Sequence, residues 1–226
     1  MIIKIGHRGV WGYKPENTIC SFKKALEFDI DMVEFDVFAC KTGEVVVIHD
    51  YRIDRTTEEK GYVQKKTFEE LRRLDAGKGQ KIPTLQEVLN LIDKKVKVNI
   101  ELKGEGSAKP VYEIIERYIK ENGWKKADFL ISSFNHYDLR EFNRFNSEIK
   151  IGAVIAGIPI GYAECAQKVN AYSLHASKEF INKALVDDAH KRGMKLFVYT
   201  VNEPEDIERV KSFGVDGIFS DFPDRL

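Results

Sequence analysis

Residues 96–120, VKVNIELKGEGSAKPVYEIIERYIK, contain the unit that decides the fold. The first seven residues, VKVNIEL, are rich in apolar and β-branched side chains and are typical of a buried strand. An amphipathic stretch follows at Val111–Lys120, where apolar residues recur at helical spacing. A strand followed directly by a helix is half of a βαβ unit, so this segment predicts parallel strands joined by helices.

The same unit recurs along the chain. Seven further strand candidates are IIKIGH (2–7), MVEFDVF (32–38), FLISSF (129–134), IKIGAVIA (149–156), AYSLHA (171–176), KLFVYTV (195–201) and DGIFSD (216–221). Further helices are predicted at 18–28, 84–92, 136–145, 182–191 and 205–213. Eight strands alternating with helices predict an α/β fold, a (β/α)8 TIM-type barrel formed by one domain over residues 1–226. An open doubly wound sheet is the alternative.

One interruption of the alternation is FACKTGEVVVIHD, where a second strand pattern follows MVEFDVF after a short turn. Parallel strands need a crossover of about a dozen residues, so this stretch predicts a β-hairpin after the second strand. With a loop at Thr42–Gly43, the ladder pairs Phe38 with Val47 and Asp36 with His49.

The other interruption is residues 50–82, which are polar and charged. One short helix is predicted there, at Thr67–Leu74, because Thr67 and Glu70 have the spacing of a capping box. The segment is predicted to be a small insertion at the mouth of the barrel.

Composition limits the classes of partner. The 36 basic and 36 acidic side chains cancel, so no broad field favours nucleic acid or an anionic membrane. Three cysteines without metal-type spacing fit a reducing compartment. The N-terminal apolar run is too short for a signal segment, and no apolar stretch reaches bilayer length. We therefore expect a cytoplasmic protein without integral membrane association, whose partner is a small molecule and whose oligomeric state the sequence leaves open.

Polar residues collect where the predicted strands end. Functional groups of this barrel type lie at the C-terminal ends of strands and in the loops that follow. Read in order, those ends carry His7, Arg8, Glu34, Asp36, His49, Asp50, Glu101, Lys103, Ser132, Ser133, His175, Tyr199, Asn202 and Asp221. A single site at the barrel mouth is predicted.

Three carboxylates in this set suggest a metal site. Glu34 and Asp36 are two residues apart on one strand, so both face the same side, and Glu101 has the same period on another strand. Clustered acids resist ionisation unless a cation holds them. Hard oxygen ligands without a nearby cysteine favour Mg²⁺ or Ca²⁺ over Zn²⁺. The alternative is that these acids only form ion pairs with Arg8 and Lys103.

Two histidines share the same end of the barrel. His7 and His49 carry the side chain best suited to proton transfer near neutral pH, although a lone histidine at a strand end often has only a structural hydrogen bond. Arg8 and Lys103 are suited to bind an anionic group, the guanidinium of Arg8 as a fork and the ammonium of Lys103 as a point charge. A metal, two cations and two histidines favour phosphoryl chemistry over acyl transfer.

An ordered set of motifs carries a family resemblance. These motifs are HRG (7–9), PENT (15–18), EFDV (34–37), HD (49–50), RTT (55–57), PTL (83–85), ELK (101–103) and TVN (200–202). In them the chain resembles the glycerophosphodiester phosphodiesterase family of phospholipase-C-like phosphodiesterases. The resemblance implies a barrel with a small insertion after the second strand. It also implies cation-dependent hydrolysis of a glycerophosphodiester, such as glycerophosphocholine or glycerophosphoethanolamine, to sn-glycerol 3-phosphate and an alcohol.

The resemblance also implies roles for individual residues. One divalent cation, Mg²⁺ or Ca²⁺ with Mn²⁺ as a further candidate, would be held by Glu34, Asp36 and Glu101. General acid and base would be His7 and His49, and phosphate contacts would be Arg8 and Lys103. Tyr199 stands where the family often carries Trp, so it is expected to form the aromatic wall of the substrate pocket. A tyrosine at this position would make the wall narrower or add a hydroxyl group to it.

Several alternatives stay open at this point. The sequence does not say which histidine is the acid, or whether the first product is linear or cyclic. A short insertion leaves the mouth open, which keeps lysophospholipids, cleaved by lysophospholipase D action, as a second substrate class. A noncatalytic phosphate-binding barrel would be expected to lack one of the five metal and histidine positions, and all five are filled. A lyase or isomerase on the same barrel would usually need a Schiff-base lysine or a ketose-binding set.

Overall fold

A closed parallel barrel forms the centre of the molecule, which a computed structural model describes over residues 2–226. Within that range the strands are β1 (Ile3–Gly6), β2 (Met32–Ala39), β3 (Val45–Val47), β4 (Lys97–Leu102), β5 (Phe129–Ser133), β6 (Lys150–Ile155), β7 (Ser173–Ser177), β8 (Lys195–Tyr199) and β9 (Gly217–Ser220). Eight of them are parallel neighbours, and β1 closes the ring by pairing with both β2 and β9. Closure confirms the TIM-type barrel and rules out the open doubly wound sheet.

Helices connect consecutive barrel strands and cover the outside of the sheet. They are α1 (Ile19–Ala25), α2 (Phe68–Arg73), α3 (Leu85–Ile92), α4 (Ala108–Glu121), α5 (His136–Phe145), α6 (Glu164–Gln167), α7 (Lys183–Lys191) and α8 (Pro204–Ser212). Two helix boundaries differ from the sequence prediction by three residues: α1 ends at Ala25 instead of Phe28, and α4 begins at Ala108 instead of Val111, since its first turn tolerates Pro110. Within the described residues, no helix is both long enough and apolar enough to cross a bilayer.

The hairpin after β2 exists, but the predicted register is wrong by one residue. Phe38 lies opposite Val46, not Val47. Cys40 and Glu44 are joined by a backbone hydrogen bond of 2.9 Å, so the loop has three residues instead of two. The last of them, Gly43, has φ of 98°, a conformation that glycine adopts without strain. The three-residue loop shifts the pairing by one residue. The backbone carbonyl of Asp36 accepts from the backbone N–H of Ile48, so Asp36 does not pair with His49.

Residues 50–82 pack on the face of this hairpin that carries Phe38 and Val46, which on β2 is also the face of Glu34 and Asp36. Their apolar side chains join the hairpin in a small core of Phe38, Cys40, Val46, Ile48, Ile53, Val63, Leu71, Leu74 and Ile82. The segment also reaches the loops at the barrel mouth, where Gln64 donates to the carbonyl of Glu105 (2.9 Å). It therefore lies beside the C-terminal ends of the strands.

The inside of the barrel has two layers. At the N-terminal end, a small apolar cluster is formed by Ile5, Met32, Leu130, Phe197 and Phe219. Further along the strands the inward positions become polar. On β2 this change falls between Met32 and Glu34, two residues apart on one face. The apolar layer closes the bottom of the barrel, and the polar layer forms the floor of a cavity.

Candidate active site

A cavity of ≈ 210 Å³ opens at the C-terminal end of the barrel. Its walls contain all eight side chains that the sequence selected: His7, Arg8, Glu34, Asp36, His49, Glu101, Lys103 and Tyr199. They come from β2, β4 and β8 and from the segments that follow β1, β3 and β4. A parallel barrel brings these ends together, although the residues span nearly the whole chain.

The three carboxylates form one cluster. Glu34, Asp36 and Glu101 each place an oxygen within 4.8 Å of the oxygens of the other two. Burial, followed by the charge of Asp36, raises the pKa of Glu34 well above its usual value and that of Glu101 to about 7. Burial and mutual repulsion therefore oppose full ionisation of the cluster at neutral pH, and a further positive charge beside it would favour ionisation.

Asp36 is the ionised member of this cluster. Burial alone would raise the pKa of Asp36, but the positive charges of His49, when it is protonated at acid pH, and of Arg8 and Lys103 outweigh burial and lower the pKa. Asn17 of the PENT motif donates its amide to Asp36 Oδ2 (3.0 Å). The carboxylate is thus fixed in place on its strand.

The donor set fits a hard divalent cation. Beside the carboxylates, the amide oxygen of Asn99 is buried in the cavity wall and has no hydrogen-bond partner among the described residues. The amide nitrogen of Asn99 donates to Ser132 Oγ (2.9 Å), which leaves the oxygen free. Three carboxylates and an unsatisfied amide oxygen match the all-oxygen ligands of Mg²⁺ and Ca²⁺.

His7 is held by a carboxylate that directly follows the last barrel strand, β9. Its Nδ1 lies 2.6 Å from Asp221 Oδ1, and Asn202 donates to the other oxygen of Asp221 (2.7 Å). Because a carboxylate only accepts, the proton belongs on Nδ1 and Nε2 is left to exchange protons. Hydrogen bonds from His7 and Asn202 lower the pKa of Asp221 despite its burial.

His49 has the same arrangement on the hairpin. Its Nδ1 lies 2.5 Å from Asp50 Oδ1, and its Nε2 lies 3.3 Å from Lys103 Nζ. Burial, together with the positive charges of Arg8 and Lys103, lowers the pKa of His49. The ring is therefore neutral at physiological pH and able to accept a proton.

The two cations stand on either side of the carboxylates. Arg8 donates its Nε to His7 Nε2 (3.2 Å) and its Nη1 to Glu16 (2.9 Å). Lys103 donates to Glu101 (2.8 Å). Both side chains are nine-tenths buried, and their positive charges face the same cavity as the histidines, as binding of an anion requires.

Aromatic rings close one wall of the cavity. Tyr199 meets Phe134 edge to face, with ring centroids 6.0 Å apart. The Tyr199 hydroxyl donates to the carbonyl of Ile155 (2.8 Å), so the residue presents its ring to the cavity and its hydroxyl is already used. His175 lies deeper, stacked on Phe197, and burial lowers its pKa to about 3, which keeps it neutral.

Four residues that hold the site had no role predicted from the sequence. Asp50 and Asp221 were noted at strand ends, and Glu16 and Arg55 only as parts of the PENT and RTT motifs. The adjacency of His49 and Asp50 was a usable signal, because an acid beside a histidine can orient it. Asp221 is 214 residues from His7 and Arg55 is 39 from Glu16, so no local pattern joins those partners.

The chain matches a known protein family over nearly its whole length. The model of the glycerophosphoryl diester phosphodiesterase family covers residues 7–225. The chain belongs to the glycerophosphodiester phosphodiesterase family. This family is a class of enzymes, and the chain is an enzyme of that class. A glycerophosphodiester phosphodiesterase from Caldanaerobacter subterraneus subsp. tengcongensis is 42% identical over 98% of this chain and 95% of its own length.

Solved and more distant members of the family extend the comparison. The structure of a phosphodiesterase from Oleispira antarctica, in complex with the product sn-glycerol-3-phosphate, has a TM-score of 0.90 at 31% identity and covers 98% of this chain and 93% of that one. A human lysophospholipase D is 26% identical over 98% of this chain and 84% of its own length. The glycerophosphodiester phosphodiesterase family thus includes proteins named for two activities.

Proposed function

We propose that this chain hydrolyses glycerophosphodiesters, such as glycerophosphocholine or glycerophosphoethanolamine, to sn-glycerol 3-phosphate and the free alcohol. The reaction would depend on one divalent cation and on His7 and His49 as general acid and base. The observation that carries the proposal is the shared cavity, where two histidines, two cations and three carboxylates converge. The product named in the Oleispira complex supports the substrate class.

Glu34, Asp36 and Glu101 would hold the cation, Mg²⁺ or Ca²⁺ with Mn²⁺ as a further candidate. When bound, the cation would supply Lewis-acid stabilisation of the charge that develops on the phosphate. The raised pKa values of Glu34 and Glu101 support this role, because a positive charge at the cluster is what permits full ionisation.

Arg8 and Lys103 would bind the phosphodiester anion. Their present partners, the histidine nitrogens, lie within 3.3 Å. A phosphate oxygen that replaces a histidine as the acceptor would keep each cation satisfied and would free both Nε2 atoms for proton transfer.

The two histidines would divide the proton transfers. One would take a proton from the attacking water or glycerol hydroxyl, and the other would give a proton to the leaving alkoxide. Their carboxylate partners, Asp221 and Asp50, hold Nδ1 of each ring and stabilise the protonated form while it exists. Tyr199 and Phe134 would form the apolar wall beside the alcohol.

A direct test follows the products. Purified protein is given glycerophosphocholine in one reaction and lysophosphatidylcholine in another, and sn-glycerol 3-phosphate and choline are quantified. Release of sn-glycerol 3-phosphate from the water-soluble diester is expected. Choline release from the lysolipid alone would contradict the proposal and assign lysophospholipase D action. The cytoplasmic location expected from the sequence stays a prediction.

One observation favours lysophospholipase D as a second activity. An apolar groove of ≈ 430 Å³ runs along the loop after β6 and shares Phe134 and Val154 with the cavity. Its loop exposes Ile158 (42%) and Ile160 (106%), an arrangement suited to an acyl chain. Replacing both isoleucines with Asn should lower choline release from lysophosphatidylcholine and spare glycerophosphocholine hydrolysis. Equal effects on both substrates would show that this groove does not bind the acyl chain of the lysolipid.

A further inference from the structure

Arg55, on the short 3-10 turn Ile53–Arg55 of the insertion, uses all of its guanidinium nitrogens on two carboxylates. Its Nη1 and Nη2 donate to the two oxygens of Glu16 at 2.6 and 2.7 Å, and its Nε donates to Asp50 Oδ2 at 2.6 Å. Bidentate pairing of this kind fixes orientation as well as charge.

Each of those carboxylates also contacts a proposed functional side chain. Asp50 accepts from His49 Nδ1, and Glu16 accepts from Arg8 Nη1. An unbroken chain therefore runs from Arg8 through Glu16, Arg55 and Asp50 to His49. It joins the loop after β1 to the hairpin.

The partner of the other histidine is fixed differently. Asp221 accepts from the Asn202 side chain and donates its backbone N–H to Asn202 Oδ1 (2.9 Å). Both contacts come from neighbouring barrel strands and are local to the barrel. Asp50, by contrast, lies at the hairpin end with its side chain 27% exposed, and Arg55 is the cation that holds its second oxygen.

We propose that Arg55 and Glu16 are positioning residues, which hold Asp50 against His49 and the guanidinium of Arg8 against the substrate phosphate. The inference rests on the proposed function, since it assigns His49 and Arg8 the roles given above. Without Arg55, the Asp50 carboxylate can turn to solvent and release the His49 ring. Glu16, whose side chain is only 6% exposed, would keep a single partner, Arg8, and draw it from the cavity.

The insertion contains a matched control. Arg52 forms an ion pair with Asp54 (2.9 Å) and lies 4.8 Å from the ring centroid of Tyr62. Arg55 likewise lies 5.7 Å from the ring centroid of Trp11, and the two arginine side chains are exposed to similar extents, 45% and 43%. Arg52 has no contact with the chain that leads to His49. If ion pairs in the insertion only stabilised the fold, replacement of either arginine should have the same effect on activity.

The test compares Arg55→Gln, Arg55→Lys and Arg52→Gln for release of sn-glycerol 3-phosphate from glycerophosphocholine at saturating cation. Arg55→Gln should lower kcat by about tenfold or more, as misplacement of a proton-transfer group does, and Arg52→Gln should leave it unchanged. Arg55→Lys should retain most of the defect, because an ammonium cannot span both carboxylates as a fork. In Arg55→Ala, added methylguanidinium should restore part of kcat, and it should have no effect on Arg52→Ala.

The outcomes separate the two levels of the account. Equal kcat in Arg55→Gln and Arg52→Gln, with an active wild type, would overturn this inference alone. Full activity in Arg55→Lys would overturn the requirement for the fork. If Arg55→Gln does not fold, the methylguanidinium response of Arg55→Ala, normalised to folded protein, decides the matter, and its absence counts against the inference. A wild type that releases no sn-glycerol 3-phosphate would overturn the proposed function and this inference with it.

Discussion

His7 and His49 present equivalent atoms to the cavity, although they come from different elements. Each ring has a carboxylate at Nδ1, at 2.6 Å for His7 and 2.5 Å for His49, and a cation near Nε2. The two rings therefore have equivalent surroundings, which supports the proposed exchange of one proton at each Nε2. A role limited to structure would not require a cation beside each exchanging nitrogen.

Replacement of either ring should remove proton transfer and leave the fold intact. His7→Ala and His49→Ala are each expected to lower kcat/KM by about a hundredfold or more. His190→Ala is the control, because His190 pairs with Asp216 on the outer surface. Near-wild-type turnover in either cavity variant, with unchanged thermal unfolding, would contradict the acid–base assignment.

Glu101 gives cation binding a defined pH dependence. Its pKa of about 7 in the cation-free protein means that the carboxyl is protonated below that pH and ionised above it. A cation must then displace a proton, so its affinity should fall as pH drops through 7, by up to about tenfold per pH unit. Calorimetric titration with Mn²⁺ at about pH 6 and about pH 8 measures this difference.

Two variants control that titration. Glu101→Gln should bind Mn²⁺ weakly at both pH values and with a flatter pH dependence, since the titrating group is gone. Glu208→Gln, on the exposed face of α8, should behave as wild type. Affinity that is independent of pH in the wild type would exclude Glu101 from the ligand set.

At the scale of elements, sequence periodicity predicted which face of a strand each side chain occupies, because this depends only on local pattern. The strand period of β2 placed Glu34 and Asp36 on one face and Phe35 on the other, where Phe35 meets Phe22 of α1. The hairpin register was missed because a glycine allows both two-residue and three-residue loops. The backbone hydrogen bond between Cys40 and Glu44 decides between them.

Helix starts were predictable where side chains cap them, and α3 offers a test. Thr84 Oγ1 accepts from the backbone N–H of Glu87 (3.2 Å), and the Glu87 carboxylate accepts from the backbone N–H of Thr84 (2.8 Å). Thr84→Ala should lower the free energy of unfolding by about 1 kcal/mol, measured by urea denaturation. Thr84→Ser should retain most of it. The kcat should be unaffected, because α3 packs outside the barrel; loss of activity without loss of stability would contradict this separation.

For the whole molecule, barrel closure brings together the polar strand-end residues that the sequence showed only as separate positions. Polar strand ends predicted one site at the mouth, and the cavity contains all eight selected side chains. Partners such as Asp221 could not be assigned from sequence, because closure between β9 and β1 brings together residues from opposite ends of the chain. The connection of Arg55 to Glu16 depends likewise on how the insertion folds back over the mouth.

Three buried carboxylates converge in the cavity, and the central claim is that catalysis depends on a divalent cation bound by them. The most direct measurement is sn-glycerol 3-phosphate release from glycerophosphocholine by protein stripped with EDTA and then titrated with Mg²⁺, Ca²⁺ or Mn²⁺. We expect no turnover in EDTA and recovery that saturates at one bound cation per chain. Full turnover in EDTA, unchanged by any of the three cations, would contradict the account.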